Sequence, residues 1–227
     1  MDTKPWPGPD ERRYGRAAFL GLTAAGLSSL VWGAPVWRAI HGLAKPLASI
    51  VPVGGWRIYT VAASMPVFEP ATWRLRIRGL VERPVNLSYA ELRALPRAGQ
   101  TSDFHCVTGW SVANVRWAGV RLDHVLAAAR LKPEAHALTF VSAEKPYTDS
   151  LTLQQAQLKD VLLAYEMDGK PLSRAHGAPV RLVIPEMYGY KSVKWVEEIV
   201  ATPNPEAGYW EERGYDVDAW VGRSNGA

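Results

Sequence analysis

The chain has 227 residues, 48% hydrophobic and 21% charged, which suits one globular domain with a full core plus an appendage and excludes a disordered chain. Its single cysteine excludes an internal disulfide framework and a cysteine-rich zinc site. The net charge of +4 lies in residues 1–60, with seven Lys/Arg against three Asp/Glu, whereas residues 61–227 hold nineteen of each; nucleic acid is therefore not an expected partner.

Residues 17–37, AAFLGLTAAGLSSLVWGAPVW, are 21 consecutive uncharged residues that follow Arg12, Arg13 and Arg16. About 20 such residues span a bilayer as a helix, and basic residues ahead of them mark an export signal or an N-in anchor. A buried core helix would be expected to show polar residues at helical spacing, and none recur here. ERRYGRAAFLGL resembles a twin-arginine signal in which the arginine pair stands apart from the FLG element. No A-x-A cleavage site follows, and Trp32 and Trp37 stand where an interfacial belt would lie, so a cleaved signal and a retained anchor both stay open. Residues 1–40 are thus expected to be an export signal or membrane anchor, 41–55 a Pro/Gly-containing linker, and 56–227 the folded domain.

Within the domain, TWRLRIRGL (72–80) alternates Trp73, Leu75 and Ile77 with three arginines and predicts a half-buried strand with a solvated basic face. Ser88 three residues before Glu91 is a capping box, and the short helix it opens ends at Pro96. Leu122, Val125, Leu126 and Ala129 recur at helical spacing in GVRLDHVLAAARL and predict a helix over 119–131. ALTFVSAE (137–144) reads as a strand, Thr152 and Gln155 form a second capping box, and VLLAYEM (161–167) reads as a strand closed by the Asp168-Gly169 turn. PVRLVIP (179–185) is a compact apolar strand, and VKWVEEIVAT is strand-like. Strands and short helices mix without a βαβ rhythm, so the expected class is α+β.

Cys106 lies in HCVTGWS (105–111). A lone cysteine is most often an unreactive buried filler. A nucleophile would need a histidine base, and adjacent His105 usually aims away from its neighbour; His124, His136 and His176 could approach only through the fold. A soft thiolate could instead hold a transition metal whose other ligands come from a cofactor. The second chemical cluster is HGAPVRLVIPEMYGYKSVKW (176–195), where Arg181, Lys191, Ser192 and Lys194 near two Gly-containing turns suit a phosphate dianion or form a solvated surface turn. No Walker-type G-x-x-x-x-G-K-[ST] loop is present.

FHCVTGWS, WAGVRLDHVL and DGKPLSRAHGAPVRLVIPEMYGYKSVKW together resemble the molybdopterin-dependent oxidoreductases of sulfite oxidase fold, over about residues 56–215. The bacterial short branch, related to the periplasmic methionine sulfoxide reductase catalytic subunit, is similar in length and layout. The resemblance implies an enzyme with Mo-molybdopterin as cofactor, mixed strands with short helices, and no C-terminal dimerisation domain. It implies that Cys106 ligates molybdenum and that Arg181, Ser192, Val193 and Lys194 hold the pterin phosphate, with Lys191 beside them. His176 and Ser142 match polar contacts to the cofactor, and Tyr59 and Thr60 match an N-terminal contact segment. His105, next to the metal ligand, is a candidate for tuning protonation or substrate access.

The family chemistry is two-electron oxygen-atom transfer. Sulfite-oxidising members carry Cys-Ala-Gly-Asn-Arg, whereas Cys106 is followed by Val-Thr-Gly-Trp-Ser, with no arginine before Arg116. An S-oxide or N-oxide reductase is therefore expected ahead of a sulfite oxidase. The short bacterial branch carries Arg where this chain has His105 and Asn where it has His176, so methionine sulfoxide itself is not implied. A cofactor inserted before export fits the twin-arginine-like leader and a periplasmic location. The chain holds no C-x-x-C-H haem motif and no iron–sulfur cysteines, which implies a separate redox partner, a membrane haem protein or a cytochrome. The eight acids against four bases of residues 186–227 offer such a partner a docking face. A metal-free binding module of the same fold and a thiol enzyme using Cys106 are the alternatives from other classes.

Overall fold

The computed structural model describes residues 55–225, all within a compact unit that begins at Val53. The expected signal or anchor, and nearly all of the expected linker, lie outside the described residues. Among the described residues no helix is long and apolar enough to cross a membrane.

Alternation produces the first strand as predicted. In β1 (Arg74–Gly79) Leu75 and Ile77 are fully buried, while Arg76 and Arg78 project from the other face. The arginines are not merely solvated: both pair with Glu198 of β10 (Val196–Thr202), which runs parallel to β1. With the guanidinium sides half exposed, these pairs contribute little stability and mainly fix register. β2 (Val85–Ser88) returns antiparallel and passes into α1 (Tyr89–Ala94), whose Ser88–Glu91 capping box is fully formed.

Two sheets result. The first has the order β2-β1-β10-β5-β6, with β5 at Ala137–Ser142 and β6 at Thr148–Thr152. The second runs β3-β4-β7-β8, with β9 added on β7. Its strands are β3 (Arg97–His105), β4 (Ser111–Arg121), β7 (Leu162–Met167), β8 (Lys170–Pro171) and β9 (Arg181–Val183). The predicted Asp168-Gly169 turn closes β7 onto β8, both residues having positive φ. The second capping box opens α3 (Leu153–Ala156).

Ile77, Phe140, Leu163, Leu182 and Ile199 bring both sheets into one core. Val115, Trp117, Leu162, Ala164 and Val183 form a smaller cluster in which the second sheet alone supplies the strand residues. Successive residues such as Leu162 and Leu163, or Leu182 and Val183, thus bury in different clusters. That two-sided burial is why LLAY (162–165) and LVI (182–184) are continuously apolar. Trp56 and Phe104 pack against the smaller cluster, and the functional cavity opens beside them.

The helix expected over 119–131 is shorter. β4 continues to Arg121, and only Leu122–Ala127 (α2) is helical. Leu122, Val125 and Ala129 are buried as their spacing predicts. Gly119, Val120 and Arg121 are claimed instead by pairing with Ala164, Leu163 and Leu162. β2, β3, β4, β6 and β8 have no counterpart among the expected strands. The half-buried face of β3 carries Ala98, Gln100 and Ser102, residues that give no hydrophobic alternation.

Candidate functional site

β3 and β4 are joined by the turn that carries Cys106. The Cys106 N–H donates to the Trp110 carbonyl (2.9 Å) and the Gly109 N–H to the Cys106 carbonyl (3.0 Å), with Gly109 at φ +87°. This tight turn leaves the half-buried thiol on the wall of a cavity, with Sγ 3.2 Å from Thr108 Oγ1. Strand alternation puts Phe104 on the same wall and His105 off it. The His105 ring meets Ser111 Oγ at 2.8 Å, its cross-strand partner, and burial holds its pKa below the usual histidine value. His105 therefore faces away from the cavity that Cys106 faces.

The cavity has an empty volume of about 950 Å³, solvent at its mouth included. Arg181, Ser192, Lys194, His176, Ser142 and Tyr59 all line it, so the fold brings most of the predicted residues to one place. Arg181, at the start of β9, is 3% exposed and lies about 5 Å from the rings of Phe104 (5.3 Å) and Trp117 (5.1 Å). Its two terminal nitrogens donate to the carbonyls of His176 (3.3 Å) and Ser192 (3.2 Å), which leaves Nε without a protein partner. Burial lowers its pKa to about 10, still charged at neutral pH.

The segment after Tyr188 turns twice, through Lys191 N–H to the Tyr188 carbonyl and Ser192 N–H to the Gly189 carbonyl. The turns set Ser192 and Lys194 toward the cavity and Lys191 and Val193 into the interior. Lys191, expected beside the phosphate-holding residues, has its ammonium taken up by Asp149, Glu211 and the Ser150 carbonyl. Val193 contributes backbone bonds only, its carbonyl accepting from Leu182. Lys194 donates to the Tyr59 carbonyl (2.6 Å), and burial with the nearby Arg181 charge lowers its pKa to about 8. Ser142 Oγ donates to the Lys194 carbonyl (2.8 Å) and accepts from the Glu144 N–H (3.0 Å). Thr60 bonds Ala62 and does not line the cavity.

Gly189 permits this arrangement by close approach: a Cβ there would fall 2.2 Å from the tip of the Phe104 ring. Gly189→Ala is expected to displace Phe104 and cost about 1–3 kcal/mol, as overpacked sites do. A lower urea midpoint at unchanged m-value would show it.

His176 ends a 3-10 turn (Arg174–His176), its ring 4.7 Å from Trp56 and its Nδ1 unpartnered. Burial, then the charges of Arg181 and Lys194, lower its pKa to about 4. Between about pH 4 and 6.5 the unfolded state thus binds a proton that the folded state refuses, and stability rises with pH through that window. In cofactor-free protein, the stability difference between wild type and His176→Gln is expected to shift against wild type as pH falls from 6.5 to 4. Urea titrations of both proteins across that range measure it; parallel curves would contradict it.

The sequence reading missed the aromatic wall: Trp56, Phe104, Trp110, Tyr147, Trp210 and Tyr215 all line the cavity. It also missed Glu144, 4% exposed, which accepts from the Val61 (2.8 Å) and Ala62 (3.3 Å) N–H groups and holds the N-terminal segment across the opening. The ten tryptophans signalled unusual aromatic density but not its location.

The donor set suits an anionic metal cofactor. The Cys106 thiol, three cations (Arg57, Arg181 and Lys194) and the hydroxyls of Ser142 and Ser192 share one cavity, and the buried Arg181 Nε and His176 Nδ1 have no protein partner. Buried polar groups require partners, and a ligand with acceptors supplies them.

Comparisons with known proteins agree. The family model described as oxidoreductase molybdopterin binding domain matches residues 62–210. The uncharacterized oxidoreductase YuiH of Bacillus subtilis is 39% identical over 69% of this chain and 80% of its own length. The sulfite oxidase of Arabidopsis thaliana is 31% identical over 64% of this chain and 46% of its own. The protein-methionine-sulfoxide reductase catalytic subunit MsrP of Campylobacter jejuni is 30% identical over 63% and 54%. The chain thus spans about half the length of the latter two. Among solved structures, the sulfane dehydrogenase SoxCD from Paracoccus pantotrophus superposes with a TM-score of 0.60 at 28% identity, over 63% of this chain and 41% of that one. The α+β architecture is the sulfite oxidase-type molybdopterin fold, the cofactor is Mo-molybdopterin, and the chain belongs to the oxidoreductase molybdopterin binding domain family of enzymes.

Proposed function

We propose that this oxidoreductase reduces an S-oxide or N-oxide substrate, with Cys106 as the molybdenum ligand. Arg181, Ser192 and Lys194 hold the pterin phosphate, and His176, Ser142 and the Tyr59 segment complete the cradle. When bound, the cofactor supplies two-electron oxygen-atom transfer. For a sulfoxide the balance is one sulfoxide, two protons and two electrons giving one sulfide and one water.

One observation carries the choice of substrate. The lining residues around Cys106 in the chain, Phe104, Val107, Thr108 and Trp110, bring no charge, and Trp56 packs on Phe104 and Trp110. Sulfite is an anion near neutral pH and favours guanidinium partners at the reacting centre. A sulfoxide is neutral, with apolar substituents that suit an aromatic wall. In this reading the aromatic residues bind and orient the substrate and exclude water, while the cations of the lining, Arg57, Arg181 and Lys194, serve the anionic cofactor.

Residues 1–40 export the folded protein, as a cleaved signal or a retained anchor, and place residues 56–227 in the periplasm or on the outer face of the cytoplasmic membrane. Electrons come from a separate haem-bearing membrane protein or cytochrome. The decisive experiment is a substrate panel of sulfoxides, N-oxides and sulfite. Protein from a molybdenum-competent host is assayed with reduced viologen for reduction and with an oxidised dye for sulfite. Faster turnover of sulfite than of every oxide would overturn the assignment.

A further inference from the structure

We propose that Asp149, Lys191 and Glu211 form a buried clasp that positions the cofactor-facing Gly189–Lys194 loop against the aromatic wall; Lys191 acts through this clasp and not on the phosphate. The inference rests on the reading that the cavity holds the molybdopterin.

The three residues come from β6, the loop and the 3-10 turn Glu211–Arg213. Their side chains are 2%, 1% and 1% exposed. The Lys191 ammonium donates to Asp149 Oδ1 (2.8 Å), the Ser150 carbonyl (3.0 Å) and Glu211 Oε1. An ammonium has three protons, so these acceptors leave none for a ligand. Glu211 Oε2 also accepts the Gly208 N–H and Asp149 Oδ1 the Ser150 N–H (2.7 Å), while Asp149 Oδ2 is buried without a partner.

Each member borders the cavity wall. Tyr190 and Ser192 flank Lys191, Trp210 precedes Glu211, and Tyr147 stands two residues before Asp149; all four line the cavity. The wall residues also lock to one another, since Tyr147 O–H donates to the Tyr190 carbonyl (2.6 Å) and Tyr190 stacks on Tyr215 at 5.4 Å. Two carboxylates face one ammonium in the buried interior, and burial raises Asp149 to about 7 despite Lys191, with Glu211 adding to the rise. Losing Lys191 alone leaves two buried carboxylates uncompensated, whereas neutralising all three removes the conflict.

The test compares wild type, Lys191→Met and the triple variant D149N/K191M/E211Q, all from a molybdenum-competent host. It measures molybdenum and released pterin per chain, and molybdenum loss from folded protein held below the onset of unfolding. Lys191→Met is expected to hold less than about a tenth of the wild-type molybdenum, and the triple variant to regain about half or more. A folded triple variant as empty as Lys191→Met overturns the clasp, because Lys191 then serves the cofactor directly. Equal loading and equal loss rates in Lys191→Met and wild type also overturn it, since a merely stabilising role moves only the melting temperature. If Lys191→Met does not fold, the triple variant alone decides by the same thresholds. Wild type without molybdenum would instead refute the functional reading, independently of the clasp.

Discussion

Cys106→Ser, produced in a host that makes the cofactor, is expected to contain about a tenth or less of the wild-type molybdenum and to turn over below about a thousandth of its rate, roughly 4 kcal/mol of lost transition-state stabilisation. The reason is ligand softness. A thiolate is a soft donor matched to the metal, and a serine hydroxyl is a hard one that remains protonated at neutral pH. The fold should hardly register the change. Cys106 is half-buried, its turn is closed by backbone bonds, and its thiol touches only the Thr108 hydroxyl as a polar partner. A melting temperature within a few degrees of wild type, together with lost metal, separates ligation from packing. Full molybdenum content in the serine variant would remove Cys106 from the metal site, and a thiol-sensitive activity without metal would favour the nucleophile.

Arg181→Met is expected to lower cofactor retention about 10- to 100-fold while leaving the cofactor-free protein near wild-type stability, because two effects on the apoprotein oppose each other. Methionine relieves a buried cation whose pKa has been forced down to about 10, a gain of about 3 kcal/mol. It also strips the donors from the His176 and Ser192 carbonyls, at about 1–3 kcal/mol each. Neither dominates, so the melting point of the apoprotein is a poor detector and bound molybdenum a good one. Arg181→Lys should recover part of the retention, since it keeps the charge but cannot reach two carbonyls and a ligand with one planar fork. A methionine variant that holds cofactor as tightly as wild type would exclude Arg181 from the cradle.

How much of this was legible in the sequence differs element by element. Both capping boxes formed as spaced, because a cap is a contact between residues three apart. β1, β5, β7 and β9 were read from alternation or from short apolar runs, which report burial directly. β3 escaped because its half-buried face carries Ala98, Gln100 and Ser102. The helix over 119–131 was overextended because its first residues satisfy helical spacing equally well as the end of a strand, and only β7 distinguishes the two.

The site divides in the same way. Cys106 and the Arg181–Lys194 segment were identifiable, since the residue types limit the chemistry and their order is specific. Lys191 and Lys194 were not separable, standing three apart around the same Ser-Val pair. Asp149 and Glu211, 42 and 20 positions away, capture the first, and Tyr59, 135 positions away, meets the second. His105 illustrates the same limit. Adjacency to Cys106 made it a candidate, and strand alternation with Ser111 as cross-strand partner turned its ring off the cavity.

The sequence by itself determined the class of fold, because local periodicity needs no knowledge of distant neighbours, and its resemblance to a known family carried the cofactor. Only the tertiary structure decided which lysine faces the cavity, which way His105 points and that aromatic residues far apart in the chain, Trp56 and Trp210 among them, wall the site. Those choices belong to contacts between segments far apart in the chain, where burial in one place is settled by what arrives from another.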